Sequence, residues 1–300
     1  MKCCCRLSTV GTLRRLASTT QHFTTTQHLT TRHFSATSAS DKASTTHFGF
    51  ETVGIDEKEP KVKEVFEKVA DSYDLMNDVM SVGVHRLWKD YFASKVNPKP
   101  HFKCLDVAGG TGDIAFRLFN RMSKVHESPE QVVICDINTE MLEVGKKRAA
   151  ELYGKSEVFQ WVEGNAECLP FDNDSFDVFT IAYGIRNVTH INKALSEAYR
   201  VLKPGGKFMC LEFSSVQNEI VSQVYNTYSF EVIPVLGQLV ANDYESYKYL
   251  VESIKKFPDQ EKFADMIRDA GFQEVGYENL TFGVTAIHTG FKLPQEWDMD

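Results

Sequence analysis

The chain has 300 residues, of which 42% are hydrophobic and 25% are charged, so it has the composition of a globular protein with a sizeable core. Its net charge of -8 is uneven: the first 48 residues carry +5 and the remainder therefore carries -13. An acidic body argues against nucleic-acid binding, which needs basic patches, and no apolar run reaches the roughly 18 residues of a membrane span.

The N-terminal segment has the composition of a mitochondrial transit peptide. It is rich in Ser and Thr, and its Lys and Arg residues are accompanied by a single acid, Asp41. Arg32 stands shortly before the bond between Phe34 and Ser35, as at a matrix processing site. We therefore predict a transit peptide and disordered leader over residues 1–48 and one folded domain over 49–300. A disordered tail without a targeting role is the alternative.

The first part of the folded domain is predicted to be helical. Residues 49–60 are interpreted as a linker, and apolar residues at helical spacing predict an amphipathic helix from Lys61. The following stretch, 73–88, is dense in polar and aromatic residues. We expect a helical lid over about 60–95, although a helical hairpin that only packs against a sheet would produce a similar pattern.

A glycine-rich turn is the stretch around which the rest is organised. The apolar run 104–107 is followed by three glycines within 109–112, which allow the backbone to turn sharply and approach a ligand. This turn also matches a dinucleotide fingerprint, but a pyrophosphate there would meet Asp113 and Asp106, with no basic residue before Arg117. The two carboxylates suit a cationic ligand such as S-adenosylmethionine better. A plain turn capped by Asp113 is the alternative.

Polar side chains follow the next two predicted strands. Asp136 ends a buried strand, and ligands bind at the carboxyl ends of parallel strands, so Asp136 is placed to accept hydrogen bonds from ribose hydroxyls. Asp136 or Asn138 could instead only cap the next helix. After a third strand, Val158–Val162, Asn165 lies in a loop whose amide and backbone groups suit an adenine edge, although an ordinary turn would look the same.

The fourth predicted strand, Phe176–Tyr183, ends near Arg186 and Asn187. Adjacent Arg and Asn residues are unusual at the exit from a buried strand, and this position faces the same crevice. The remaining elements are a helix over 191–202, a strand over 207–214, a helical cap over about 216–258, a helix over 259–270, and an antiparallel hairpin of strands 274–282 and 284–292 separated only by Gly283. These elements predict an α/β fold with a seven-stranded sheet.

The cysteines of the folded domain give no sign of a metal site or a disulfide framework. Cys104, Cys135, Cys168 and Cys210 are widely spaced, and neither a C-x-x-C motif nor a Cys/His cluster occurs. We expect buried free thiols in a reducing compartment and no metal.

Two long motifs carry a family resemblance. The first runs from Tyr73 to Trp88 (Y-D-L-M-N-x-x-M-S, then H-x-x-W), and the second runs from Arg200 to Ser214 (R-V-L-K-P-G-G-x-F-x-x-L-E-x-S). With them, the chain resembles class I S-adenosylmethionine-dependent methyltransferases and, more narrowly, the ubiquinone/menaquinone C-methyltransferase family. The resemblance covers about residues 60–293.

The resemblance implies a Rossmann-like sheet with a terminal hairpin and cofactor contacts at Thr111, Asp136, Asn165 and Ala166. It departs at Ala182, where bacterial members have a serine that also contacts the cofactor. It implies S-adenosylmethionine as methyl donor and a polyprenyl benzoquinol of ubiquinone biosynthesis as acceptor. It further implies that the protein belongs to a multi-enzyme ubiquinone-biosynthetic complex. It also implies that the protein associates peripherally with the matrix side of the mitochondrial inner membrane.

The expected chemistry needs a group that handles the ring hydroxyl of the acceptor. A quinol carbon becomes nucleophilic when that hydroxyl loses its proton, and Arg186 and Asn187 are placed to hold the oxygen. Because a guanidinium stays protonated, we expect Arg186 to stabilise a phenolate and not to act as a base. His85 and Asp74 are fallback bases. A nicotinamide-dependent oxidoreductase and a catalytically silent assembly subunit are the alternative functions.

Overall fold

The computed structural model describes residues 45–69, 73–122, 132–154 and 159–294. These residues belong to one folded unit that begins at Ser44. Residues 1–44 of the predicted leader lie outside the described part, so the transit peptide stays a prediction.

The fold is built on a mixed sheet. Its strands are β3 (Cys104–Val107), β4 (Val132–Asp136), β5 (Gln160–Glu163), β6 (Phe176–Ala182), β7 (Leu202–Phe213), β8 (Gln273–Leu280) and β9 (Thr285–Phe291). The seven strands are ordered β5-β4-β3-β6-β7-β9-β8. Strands β3 to β7 pair in parallel, and β9 is antiparallel to both β7 and β8. The predicted seven-stranded α/β sheet with a terminal antiparallel hairpin is confirmed.

Helices cover both faces of this sheet. They are α1 (Ile55–Val69), α2 (Tyr73–Ser81), α3 (Val84–Val96), α4 (Asp113–Arg121), α5 (Thr139–Tyr153), α6 (Ile191–Val201), α7 (Glu219–Thr227), α8 (Ile233–Ala241), α9 (Tyr244–Lys256) and α10 (Gln260–Asp269). Alternate residues of a strand point to opposite faces: Cys104 packs with α3, α4 and α5, whereas Leu105 packs with α6 and α10. Burial on both faces explains the continuous apolar strands that the sequence shows.

The cap over the strand ends consists of α7, α8 and α9, with a π-helical turn between α7 and α8. A small apolar cluster joins it to α2 through Met76, Ile233, Tyr247 and Val251. The cap therefore closes against the N-terminal helices and not only against the sheet. Within the described ranges, no helix is long and apolar enough to cross a membrane.

The segment 49–60 is not the linker that the sequence predicted. Strands β1 (Thr45–Phe48) and β2 (Glu51–Gly54) form an antiparallel hairpin, part of which falls inside the predicted leader. Helix α1 begins at Ile55 and continues through Pro60. Pro60 is the sixth residue of this helix, so it cannot donate the usual hydrogen bond to the carbonyl of Asp56, but the helix continues beyond it to Val69.

The β8–β9 connection is longer than the single Gly283 that the sequence predicted. A short 3₁₀ turn, Thr281–Gly283, links the strands, and Thr281 and Phe282 both have positive φ. The indole Nε1 of Trp88 donates a hydrogen bond to Thr281 Oγ1 at 2.9 Å. Anchoring by a distant helix, which no local pattern reveals, holds this turn.

Candidate active site

A cavity opens at the carboxyl ends of β3, β4, β5 and β6. Its walls include the four residues that the family resemblance implies as cofactor contacts, namely Thr111, Asp136, Asn165 and Ala166, and they also include Asn187. Residues far apart in the sequence thus meet in one place because parallel strands end at the same edge of the sheet. We call this space the cofactor cavity.

The glycine turn is tied to the end of β4 by a carboxylate. Gly110 and Gly112 have φ of +48° and +82°, a region that favours glycine. Asp136 Oδ2 accepts a hydrogen bond from Gly110 N at 2.9 Å, and its Oδ1 accepts one from Asn138 N at 2.8 Å. Asn138 itself caps α5, because its side chain accepts from Glu140 N and Met141 N. Capping therefore falls to Asn138, which leaves Asp136 in the cavity wall.

A second carboxylate, Asp106, lies deeper in the cofactor cavity. It is 1% exposed, and Thr180 Oγ1 donates to its Oδ1 at 2.7 Å. Its Oδ2 accepts no hydrogen bond from any residue in the described ranges. Burial raises the pKa of Asp106 to about 7, and withdrawal from bulk water raises the pKa of Asp136 to about 6. An acceptor oxygen of this kind fits a ligand that carries an ammonium group.

These pKa values predict how the stability of the cofactor-free protein depends on pH. Between about pH 4 and pH 7 the folded protein keeps the Asp106 proton while the unfolded chain loses it, so the free energy of unfolding should fall as the pH rises, by on the order of 2–4 kcal/mol. Urea unfolding at a series of pH values measures this. Asp106→Asn should reduce the dependence to the part that Asp136 contributes, whereas exposed Asp269→Asn should leave it unchanged. An unaltered slope in Asp106→Asn would contradict the assignment.

Helix α1 forms the outer wall of the cofactor cavity through Glu59, Val62, Lys63 and Phe66. Asn165 Nδ2 donates to Glu59 Oε2 at 2.8 Å. Lys58 Nζ, which is buried, donates to the carbonyl of Val188 at 3.1 Å. The helix is therefore fastened across the ends of β5 and β6. Glu59 was not identified from the sequence because the helix was predicted to start after it.

A second cavity lies between the N-terminal helices and the cap. Its lining is mostly apolar and aromatic, and it includes Met76, Met80, Trp88, Phe213, Tyr225, Tyr228, Ile233, Tyr247, Tyr249 and Leu250. Both cavities are lined by Phe66, Lys89 and Tyr183. We call this second space the acceptor cavity. A ligand in one cavity therefore adjoins a ligand in the other across these three residues.

Arg186 lines the acceptor cavity in a buried ion pair. Its Nη1 donates to Glu212 Oε1 at 2.9 Å and also to the carbonyl of Tyr183. Burial raises the pKa of Glu212, and the guanidinium opposes that shift. Asn187, the next residue, lines the cofactor cavity instead, and its Oδ1 accepts a hydrogen bond from Tyr249 at 2.9 Å. We predicted from the sequence that Arg186 and Asn187 hold the same ring oxygen of the acceptor. The 3₁₀ turn over Ile185–Asn187 instead directs them to different cavities.

The two fallback bases differ in what the structure describes. His85 lines the acceptor cavity, and its Nδ1 lies 2.8 Å from Ser81 Oγ. Burial, followed by the charge of Lys89, lowers the pKa of His85, so the imidazole is neutral at physiological pH and can accept a proton. The side chain of Asp74 lies outside the part of the chain that the structure describes.

The charge argument at the glycine turn needs correction. Asp113 is not an unopposed carboxylate: Lys89 Nζ donates to its Oδ2 at 2.7 Å, and Arg117 pairs with its Oδ1. Burial would raise the pKa of Asp113, but these two cations outweigh that effect and hold it well below the usual range. Lys89 comes from α3 and precedes Asp113 by 24 residues, so inspection of the turn alone missed it.

The thiols follow the sequence prediction with one exception. Cys104, Cys135 and Cys210 are buried and free, but Cys168, in the loop after β5, is exposed. Cys168 lies between a buried leucine and the polar residues of the Asn165 loop, so its neighbours in sequence do not determine its exposure.

The sequence of this chain is similar to those of known proteins. A model of the ubiE/COQ5 methyltransferase family matches residues 54–292. The mitochondrial 2-methoxy-6-polyprenyl-1,4-benzoquinol methylases of Homo sapiens and Danio rerio are each 53% identical over 285 residues, which cover 85% of this chain and 87% of theirs.

Solved structures show the same fold at low sequence identity. An S-adenosylmethionine-dependent methyltransferase from Thermotoga maritima is similar with a TM-score of 0.53 and 19% identity, over 76% of this chain and 98% of its own. A phosphoethanolamine N-methyltransferase from Haemonchus contortus, in complex with S-adenosylhomocysteine, has a TM-score of 0.50 and 16% identity, over 69% of this chain and 52% of its own.

Proposed function

The chain belongs to the ubiE/COQ5 methyltransferase family, and we propose that it transfers a methyl group from S-adenosylmethionine to a ring carbon of 2-methoxy-6-polyprenyl-1,4-benzoquinol in ubiquinone biosynthesis. The single observation that best supports this acceptor is the mostly apolar acceptor cavity, which adjoins the cofactor cavity at Phe66, Lys89 and Tyr183. Its lining suits a ring with an apolar tail. Neither a nicotinamide oxidoreductase nor a silent subunit is favoured by the relatives, which are named methylases.

The cofactor cavity supplies groups that match the methyl donor. When bound, S-adenosylmethionine supplies an electrophilic methyl on a sulfonium. Asp136 would hold the ribose hydroxyls, and Asn165 and Ala166 would contact the adenine edge. Thr111 would make a further contact with the donor, and all four residues line the cofactor cavity. At Ala182 only the backbone is available for such a contact. Holding the acceptor carbon in line with the methyl would account for much of the acceleration.

The acceptor cavity supplies groups for the ring oxygen. Arg186 brings a permanent cation to its wall, which would stabilise a phenolate as the ring carbon becomes nucleophilic. His85 is a neutral imidazole in the same wall and would take the hydroxyl proton. Asn187 would act from the cofactor side and orient Tyr249 by accepting its hydrogen bond.

The proposed function is tested by a product assay. The full chain is incubated with methyl-labelled S-adenosylmethionine and a short-tailed 2-methoxy-6-prenyl-1,4-benzoquinol under reducing conditions, and the product is analysed by mass spectrometry. We expect one methyl group on a ring carbon. Methylation at oxygen would contradict the C-methyltransferase proposal, and binding of the donor without transfer would favour the assembly subunit.

Removing the Asp136 carboxylate should weaken binding of the methyl donor. Asp136→Ala leaves ribose hydroxyls and the amides of Gly110 and Asn138 without their partner, which typically costs about 1–3 kcal/mol, or roughly 5- to 150-fold in dissociation constant. Isothermal titration with S-adenosylhomocysteine measures the change, and exposed Asp269→Ala is the control. An unchanged dissociation constant in a folded Asp136→Ala variant would remove this residue from the site.

The relatives are named mitochondrial, and we propose that this chain acts on the matrix side of the inner membrane. The proposal includes peripheral contact with that membrane and membership of a multi-enzyme ubiquinone-biosynthetic complex. Support comes from the basic leader and from an acceptor whose tail is apolar.

A reporter fused to residues 1–48 should enter the matrix and be shortened there. The motivating features are the +5 charge of this segment and the position of Arg32 shortly before the bond between Phe34 and Ser35. Imaging and gel mobility measure both effects, and a fusion in which Arg6, Arg14 and Arg15 are changed to Glu is the control. A reporter that stays cytosolic and intact would contradict the targeting prediction.

A further inference from the structure

Lys89 is a buried cation at the junction of the two cavities. It is 5% exposed and lines both the cofactor cavity and the acceptor cavity. Burying an ammonium group is costly unless it is paired, and Asp113 provides one partner at 2.7 Å. An ammonium carries three donors, so this pairing leaves capacity for a further anionic group in the cavity.

The positions of the other residues indicate which part of the methyl donor lies beside Lys89. Asp136 and Asn165 take the ribose and adenine positions at the ends of β4 and β5. The amino-acid end of the donor must then extend toward the ends of β3 and β6, where Asp106, Asp113 and Tyr183 line the cavity. The sulfur must also face the acceptor, and Lys89 belongs to the wall shared by both cavities.

The charges at this end complement a zwitterion. The amino-acid end of the donor carries one ammonium and one carboxylate, and the wall presents an ammonium and a carboxylate side by side in Lys89 and Asp113. Arg117, one turn after Asp113, gives that carboxylate a second cation. Lys89 can therefore bind an incoming carboxylate without leaving Asp113 as an isolated buried charge.

We propose that Lys89 binds the carboxylate of the amino-acid end of S-adenosylmethionine. This assignment rests on the proposed methyl transfer in one respect: the transfer requires the sulfur of the donor to face the acceptor cavity. It makes Lys89 a binding residue for the donor and leaves the ring oxygen of the acceptor to Arg186.

The test compares two ligands that differ by this carboxylate. S-adenosylhomocysteine carries it, and S-adenosyl-3-thiopropylamine lacks it but keeps the amine. Dissociation constants are measured by isothermal titration for the full chain and for Lys89→Met and Lys262→Met. Lys262 is the control because it is a lysine outside both cavities, with a side chain that is 76% exposed.

In wild type we expect S-adenosylhomocysteine to bind about 10- to 100-fold more tightly than the amine, as for a hydrogen bond to a charged group. Lys89→Met should abolish this preference through loss of affinity for S-adenosylhomocysteine, with affinity for the amine unchanged or improved. Lys262→Met should keep the wild-type preference. Binding of the amine also reports that the variant is folded.

Two results would overturn the proposal: an unchanged preference in Lys89→Met, and an equal loss of affinity for both ligands. An unchanged preference accompanied by slower turnover would assign Lys89 to the acceptor ring instead. Failure of the proposed function looks different: the carboxylate preference would follow Lys89 as expected, but no methyl would reach the benzoquinol.

Discussion

Replacing the Arg186–Glu212 pair by Met and Gln should lower turnover about 100- to 1000-fold while the affinity for S-adenosylmethionine stays near that of wild type. Arg186 lines the acceptor cavity and not the cofactor cavity, so its charge acts on the ring oxygen. Negative charge on that oxygen grows as the methyl moves. The interaction is therefore stronger in the transition state than in the bound ground state, and its loss appears in turnover.

The double replacement avoids an artefact of the single one. Arg186→Ala alone would leave Glu212, which is 1% exposed, as an unpaired buried carboxylate. Arg186→Lys, which keeps the charge but not the planar fork, should recover only part of the rate. The exposed pair Asp265 and Arg268, changed to Asn and Met, is the control for removing an ion pair.

Turnover numbers, Michaelis constants and donor affinities of these variants decide the assignment. Near-normal turnover in the double variant would contradict the role of Arg186. A loss confined to donor affinity would show that Arg186 binds the methyl donor. His85 would then be the candidate for the group that acts on the ring hydroxyl.

Breaking the Arg186–Glu212 ion pair should also lower the free energy of unfolding. Arg186→Met alone should cost about 3–5 kcal/mol, because breaking a buried pair leaves an uncompensated charge. Adding Glu212→Gln should recover much of that loss. Recovery should stay incomplete because the carbonyl of Tyr183 also loses its donor.

The pH dependence of Arg186→Met provides a further check of this coupling. Without the guanidinium, burial should raise the pKa of Glu212 further than it does in wild type. The folded state then holds a proton that the unfolded chain releases, so the deficit should grow as the pH rises above the ordinary value of about 4. Urea unfolding at two pH values, with the full double-mutant cycle, measures both effects. Additive single costs would show that the two side chains are not coupled.

Strands β3, β4 and β6 at the centre of the sheet could be predicted from the sequence because each is a short, largely apolar run that is buried on both faces. The hairpin of β1 and β2 could not, because its residues are mostly polar. It is held by distant contacts: Phe48 stacks on Tyr249 with ring centroids 4.1 Å apart, and Phe50 N donates to Glu252 across 202 positions. No local pattern carries such information.

The candidate site divides in the same way. Asp136, Asn165 and Arg186 could be found because each follows a predicted strand. Lys89 and Glu212 could not, although both lie in or next to the family motifs, because their roles depend on partners 24 and 26 residues away. The separation of Arg186 from Asn187 depends on a single turn of 3₁₀ helix, which the sequence does not reveal.

The position of β9 has a consequence for how the chain folds. The last strand, Thr285–Phe291, pairs with β7 on one side and β8 on the other. During synthesis, β8 therefore cannot pair with the sheet until β9 has emerged. Such late, long-range pairing slows folding and prolongs the exposure of unpaired strand edges. Deletion of residues from β9 should therefore impair formation of the entire β7–β9–β8 edge.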